Sequence, residues 1–447
     1  MIPLWAEDKS RYIYDPLYGA FHLPEFVWDV LTSPELQRLR EIRLCNINSL
    51  CLTGGANINR YEHALGTCHL AYECVKSWPP LRPIEIEEQK SLLLAALLHD
   101  VAGAAFGHSV EYIESREGFR HGEAFEYVAL GDRGSDYTYK STLLEPVFFG
   151  MMGELGSRLK SKEAVKSIGE LISGKGRHGA LINGSMDLDN IDNVYRLSYH
   201  IGLVKSGENA LKLAKLIWTE NGKLTVKRNA VELIKEWHSL RKKLYLTLLL
   251  NPDEFSAKCM LSEAIELAKK RNFHLFWYDV DFELLKRLSE VSSEAMDIVT
   301  RLMKGDLYGC VQILSSGNIS KYDLLTDVSC REVMEKELSV MIRRADGLPS
   351  QFKSALIAIH VILDVNKVER QVEVQTDGGE TVVVGSQSRR LLVGVFLKNV
   401  DLNMNKIQRL PPITLQAIRK WVRDYFVVNL EDADLKDWEL YSEVRSE

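Results

Sequence analysis

The sequence predicts a mainly α protein: a helical body over residues 1–345, then a smaller α/β lobe over 346–447. Two observations carry this. Apolar residues recur at intervals of three and four through most of the chain up to about residue 345, the period of one helix face. Near Gly347 the texture changes to β-branched segments, several of them alternating, which is the period of strands.

The elements follow in order. "LPEFVWDVLTSPELQRLREIR" (23–43) has helical spacing broken at "TSPE", where Ser33 is placed to cap a helix with Pro34 in its first turn. "LTGGANINR" (52–60) reads as a loop, and "EHALGTCHLAYECVKSW" (62–78) returns to helical spacing. "PPLRP" breaks that helix, and the next runs from Glu85 to Leu98. Residues 110 to about 345 stay mostly helical by period, with "VELIKEWHSLRKKLYLTLLL" (231–250) a long example and loops at "GDRGSD" (131–136) and "SGKGRHG" (173–179). Beyond Gly347, "ALIAIHVILDV", "RQVEVQT", "TVVVGS" and "LLVGVFLKNV" are strand candidates. "TDGGET" (376–381) is a hairpin turn, and "ITLQAIRKWVRDYFVV" (413–428) is a closing helix.

Composition narrows the function classes. Net charge is −6 and the pI about 6.1, so a broad basic surface for duplex nucleic acid is not expected, although a local basic pocket is compatible. No apolar run reaches the roughly 18–20 residues of a membrane helix, and "MIPLWAEDKSRYIYDP" lacks a signal-peptide layout. Seven cysteines (45, 51, 68, 74, 259, 310, 330) form no CxxC pair and read as free, mostly buried thiols. The expectation is a cytoplasmic protein with no membrane partner.

"SLLLAALLHDVAGAAFGHS" (91–109) raises the chemical question, because a helix built for burial ends in His99-Asp100. A capped helix end with a satisfied core histidine explains that pair alone. Its companions point elsewhere: "NRYEHALG" places His63 near a helix start, and "GSMDLDNIDN" clusters Asp187, Asp189 and Asp192 around another. Acidic residues also suit helix N-termini as caps, so Asp187 can cap while Asp189 ligates. Two imidazoles and two carboxylates form a sensible shell for a divalent ion with positions left open.

The order H…HD…D, on "NRYEHALG", "LLHDVAGAAFGHS" and "MDLDNIDNVYRLSYHIG", resembles the HD-domain metal-dependent phosphohydrolases. Within them it is similar to the branch of the sterile-alpha-motif and HD-domain deoxynucleoside triphosphohydrolases and their bacterial relatives. "YIYDPLYGAFHLPEFVWDVLTSPELQRLREIR" has that branch's opening style. The resemblance covers residues 12–130 and 183–202 well, thins to about 345, and is topological in the tail. It implies a helical HD phosphohydrolase body over 1–345 with metal ligands His63, His99, Asp100 and Asp189. It implies that Arg60 reaches a substrate phosphate, that His108 and His121 are active-site histidines, and that Glu111 orients one of them. One divalent ion is implied (Mn, Fe, Zn, Ni or Mg), as is a homodimer or higher oligomer that uses the tail for contacts.

Departures bear on the substrate. Gly103 stands where that branch has another active-site histidine. Asn190, Asn193 and Leu197 stand where it has a lysine, a tyrosine and an aspartate, and Cys45-Asn46 replaces a glutamine-leucine pair that checks the sugar. The implied activity is hydrolysis of deoxynucleoside triphosphates to deoxynucleoside and triphosphate, with Arg241, Lys242 and Lys243 as replacement phosphate contacts. The alternatives are an HD-type nuclease or phosphodiesterase acting on single-stranded nucleic acid or its ends, and a non-catalytic regulatory HD protein.

Overall fold

The structure is a computed structural model that describes residues 11–45, 47, 58–107, 109–110, 121–131, 153–346, 348–398, 411–429 and 436–437. It is mainly α, with a helical body and small sheets.

Three helices position the candidate site. The first, Arg60–Lys76, starts at Asn59, whose side chain accepts from the Glu62 N–H at 2.9 Å, so His63 falls in the first turn. The second, Ile86–Leu98, starts with a reciprocal capping box between Glu85 and Glu88. Leu92, Leu93 and the run from Ala95 to Leu98 are all fully buried. The C-terminal half of the helix is therefore apolar all round, as a segment enclosed by others must be, while Glu87, Glu88 and Lys90 keep its first turns polar. The third, Leu188–His200, is capped by Asp187, which accepts from the Asn190 N–H at 2.6 Å. The first helix packs against the other two in one core. Truncating one of the buried leucines of the second helix to alanine costs about 2–5 kcal/mol by cavity formation.

At Pro34–Gln37 the N-cap position is Ser33 and Pro34 opens the helix, as its sequence suggests, but the Ser33 hydroxyl makes no capping bond. The chain also holds strands within the stretch that reads as helical. Ile217–Glu220 and Lys223–Val226 form a hairpin, with Asn221 and Gly222 at φ 51° and 75° in its two-residue turn. That Asn-Gly pair was the available signal. Gly309–Ser316 is a further strand whose short apolar run cannot be told from a buried helix segment by period.

Besides a two-stranded antiparallel pair, Ile13–Asp15 with Gly19–Phe21, the described strands form two four-stranded sheets. One runs Lys436–Asp437, Gly309–Ser316, Arg389–Leu397, Ile357–Val365, antiparallel throughout. Its apolar side chains enter two cores, one shared with the Pro252–Lys269 helix and one with the Val328–Arg344 and Pro412–Asn429 helices. The other sheet joins the Ile217–Val226 hairpin to the hairpin of Val372–Thr376 and Thr381–Val384, turned at Gly379 with φ 82°. The two hairpins meet in a parallel pairing of Thr225 with Gln375 and Val226 with Thr376. This pairing fastens the chain after residue 365 to the helical body, so the turn before Val372 reaches the cavity described next.

Six cysteines (45, 68, 74, 259, 310, 330) form no disulfide among the described residues, with 68, 74 and 259 buried; Cys51 lies outside the described residues. Among the described residues, no helix is long and apolar enough to cross a membrane.

Candidate metal centre

His63, His99 and Asp189 converge from the three helices, each offering one ligand atom, and these atoms lie within 4.8 Å of one another. His63 Nε2 is 2.9 Å from Asp189 Oδ1 and 3.2 Å from His99 Nε2. The outer nitrogens are committed elsewhere. His63 Nδ1 donates to Asp192 Oδ2 at 2.7 Å, and His99 Nδ1 donates to the Ala96 carbonyl at 2.9 Å. Those bonds fix both rings so that their Nε2 atoms face each other, as second partners of metal-bound histidines do.

Such an arrangement needs positive charge at its centre. Two imidazole acceptors 3.2 Å apart, with a carboxylate beside them, repel unless a proton or a cation lies between. Burial works against a charge on His63, yet Asp189 and Asp192 together hold its pKa up to about 10. The donor set, two neutral nitrogens and a carboxylate oxygen, fits a borderline divalent ion.

Asp100 is offset from this trio. Its Oδ2 lies 3.6 Å from His99 Nε2, and its Oδ1 makes a 2.5 Å ion pair with Arg60 Nη1. His99 closes the second helix and Asp100 sits in the turn that follows, so their side chains diverge around the end of the helix. Arg60 is seated by a second device. A Cβ at Gly107 would stand 2.1 Å from Arg60 Nη2, and Gly107 has φ 49°. Glycine meets both demands, the close approach and the left-handed backbone. The turn is locked further: Arg38 donates to the carbonyls of Val101 and Gly103, and Asp281 accepts from the Phe106 N–H at 2.7 Å.

Behind His63 lies a buried ionic network that the sequence did not disclose. Asp192 accepts from Arg196 Nε at 2.8 Å and Nη2 at 3.0 Å, and from the Tyr18 hydroxyl at 2.8 Å. Arg196 also pairs with Asp15 at 2.9 Å and Glu62 at 2.6 Å. Burial pushes the Asp192 carboxyl up, but Arg196 and His63 outweigh it and bring its pKa to about 2. Asp192 stands three positions after Asp189, one helical turn on, which is the signal that assigns it a supporting role.

His108 and Glu111 lie outside the described residues. His121 opens the His121–Leu130 helix, which packs against Lys162–Ile172. Arg60, His63, His99, Asp100 and Asp189 all line one cavity of about 440 Å³, together with Asn190, Asn193 and Leu197. Arg241 lines it too, but its guanidinium is turned to the carbonyls of Asn366, Lys367 and Val368, and Lys242 pairs with Glu369. Arg241 and Lys242, two of the three expected phosphate contacts on that helix, are therefore occupied in holding a turn of the tail.

The HD domain family model matches residues 60–161, a span that starts at Arg60 and includes His63 and the His99-Asp100 pair. The chain carries an HD domain. Its similarity extends beyond that match. It is 24% identical over 266 residues to YwfO of Bacillus subtilis, an uncharacterized protein, covering 59% of this chain and 57% of that one. It is 24% identical over 279 residues to the Dictyostelium discoideum homologue of the deoxynucleoside triphosphate triphosphohydrolase SAMHD1, covering 59% of this chain and 51% of the relative. The HD chain thus spans about half the length of these curated relatives. The crystal structure of a phosphohydrolase from Bacteroides thetaiotaomicron shares its fold, with a TM-score of 0.59 at 15% identity over 86% of this chain and 99% of that one.

Proposed function

We propose that this HD protein is a metal-dependent phosphohydrolase that cleaves deoxynucleoside triphosphates to deoxynucleoside and triphosphate. The observation that carries the reading is the convergence of His63, His99 and Asp189 on one cavity that Arg60 also lines. The deoxynucleoside triphosphate triphosphohydrolase named among its relatives supplies the substrate class.

In this reading His63, His99, Asp189 and Asp100 hold one divalent ion. A bound ion of this kind polarises a phosphoryl oxygen and lowers the pKa of water. Arg60, clamped between Asp100 and Gly107, presents a planar cation to the phosphoryl oxygens as their charge grows. Hydrolysis forms a bond from water oxygen to the α-phosphorus and breaks the bond from phosphorus to the sugar 5′ oxygen. A proton must reach that departing oxygen, and His108 or His121 delivers it, with Glu111 orienting the donor. Manganese is a fitting ion, and a homodimer or higher oligomer in the cytoplasm completes the proposal.

A second reading keeps the metal and changes the substrate. Asn190 and Asn193 line the cavity with amides, and neither amide supplies a cation for phosphate. That favours another phosphate ester or the end of a single strand. Purified protein is assayed with Mn²⁺ against deoxynucleoside and ribonucleoside mono-, di- and triphosphates and short oligonucleotides. Deoxynucleoside plus triphosphate supports the first reading, and nucleotides released only from oligonucleotides support the second.

A further inference from the structure

The cavity has a second wall that the metal centre does not use. Lys258, on the Pro252–Lys269 helix, and Lys367 and Arg370, in the turn that follows the Ile357–Val365 strand, all line it. Among the described residues, neither lysine ammonium has a hydrogen-bond or ion-pair partner. Glu254, one turn before Lys258, attracts it from a distance but has an oxygen engaged with the Ile47 N–H at 3.0 Å. Burial weakens the charged form of both lysines, and the Lys258 ammonium repels that of Lys367. Two like charges brought together in a concave site cost free energy unless an anion joins them.

The turn that presents these cations is built rather than loose. Asp364 is fully buried and accepts from the Lys367 N–H at 2.8 Å. Asn366 takes a left-handed φ of 55°. Arg241, 1% exposed, donates to the three carbonyls of residues 366–368, and Lys242 pairs with Glu369. Arg370 Nη1 reaches the Ser185 carbonyl at 3.3 Å, which ties the turn to the segment leading into Asp187. Arginine, aspartate and lysine partners thus fix the backbone, so that the Lys367 side chain is left to the cavity. The deeper arginine of the neighbouring helix serves the turn and not a ligand.

We propose that Lys258, Lys367 and Arg370 form a polyphosphate subsite, which takes the phosphates beyond the scissile one while Arg60 and the metal centre hold the reacting phosphorus. The inference rests on the nucleotide reading above and explains how a cavity with Asn190 and Asn193 beside the metal centre still recognises a triphosphate. The volume of about 440 Å³ is within the roughly 300–1,000 Å³ of small-molecule sites, large enough for a nucleotide and its tail.

The test measures binding of inorganic triphosphate to the full chain by calorimetry, for wild type and for Lys258→Gln and Lys367→Gln. Lys367 keeps more of its surface open to solvent than Lys258 does, so its variant keeps the fold if the Lys258 variant does not. Each substitution is expected to weaken triphosphate binding tenfold or more and to leave binding of a phosphate-free deoxynucleoside unchanged. Wild-type affinity in Lys367→Gln, or no triphosphate binding by wild type, overturns the subsite. So does loss of single-stranded oligonucleotide binding in these variants with triphosphate binding intact, which assigns the wall to nucleic acid. Turnover separates the two claims. Binding that depends on the lysines, without hydrolysis of any nucleotide, keeps the subsite and removes the hydrolase. Hydrolysis of deoxynucleoside triphosphates with unaltered binding in both variants does the reverse.

Discussion

His63 Nδ1 and Asp192 Oδ2 are 2.7 Å apart, and this bond decides which nitrogen of His63 faces the cavity. Asp192 is itself held by Arg196 and Tyr18. The ring orientation is thus set by a network rooted in three separate parts of the chain. Asp192→Asn keeps the shape and weakens the acceptor. Metal affinity is expected to fall about 10–100-fold, read by titrating metal into stripped protein. Asp192→Ala is expected to lose up to about 3–5 kcal/mol of stability as well, because it removes the two-bonded partner of the buried Arg196 charge and leaves it only Asp15 and Glu62. Unchanged metal affinity in the asparagine variant would separate Asp192 from the centre.

Gly66 marks where that network crosses the His63 helix. A Cβ there would stand 2.1 Å from both Arg196 Nη2 and Asp192 Oδ1. Gly66→Ala ordinarily stabilises a helix interior by up to about 1 kcal/mol. Here it is expected to destabilise by about 1–3 kcal/mol, the cost of overpacking. Urea unfolding gives the sign, and a stabilised variant would contradict the packing described.

Arg60 depends on Gly107 in a similar way. Gly107→Ala must accommodate a Cβ 2.1 Å from Arg60 Nη2 on a backbone with φ 49°. The variant is expected to lose kcat/KM by about tenfold or more with its metal content intact, as a displaced phosphoryl-charge partner would produce. Arg60→Lys is expected to recover little, since a lysine cannot reproduce the fork. Loss of metal in Gly107→Ala would instead place the defect in the ligand cluster.

Glu35 gives a pH signature away from the centre. It is 1% exposed, and burial pushes its carboxyl up to about 7 from an ordinary 4.5, although the Leu155 N–H donates to it at 3.0 Å. A raised pKa means that the folded state holds this proton more tightly than the unfolded chain. The contribution to stability is therefore fully present below about pH 4.5 and is lost as pH rises through about 7. Glu35→Gln keeps an acceptor for Leu155 and has no charge to bury. Its stability relative to wild type is expected to improve by up to about 3 kcal/mol between pH 4.5 and 8, read by chemical denaturation at each pH. A pH-independent difference would show that Glu35 does not titrate in the folded protein.

The convergence of His63, His99 and Asp189 was legible because these residues rest on short motifs whose local structure is strongly determined. His63 and Asp189 follow side-chain caps at Asn59 and Asp187, and His99 ends a helix whose last two turns are wholly apolar. Asp100 was harder, because adjacency in sequence does not give convergence when a helix ends between the two residues. The network of Tyr18, Asp15, Glu62 and Arg196 gave no local signal, since its members meet only through tertiary packing. The strand Gly309–Ser316 was missed for its ambiguous apolar run. The role of Arg241 was misjudged because a basic run on a helix does not reveal that carbonyls of a distant turn will claim its first member.

The most direct test of the central claim is a product assay with metal content read on the same samples, for wild type, His99→Ala and Asp189→Ala. The account predicts deoxynucleoside and triphosphate from wild type. It predicts loss of both bound metal and hydrolysis in each variant, with circular dichroism showing that they remain folded. Full hydrolysis by either metal-depleted variant would contradict it.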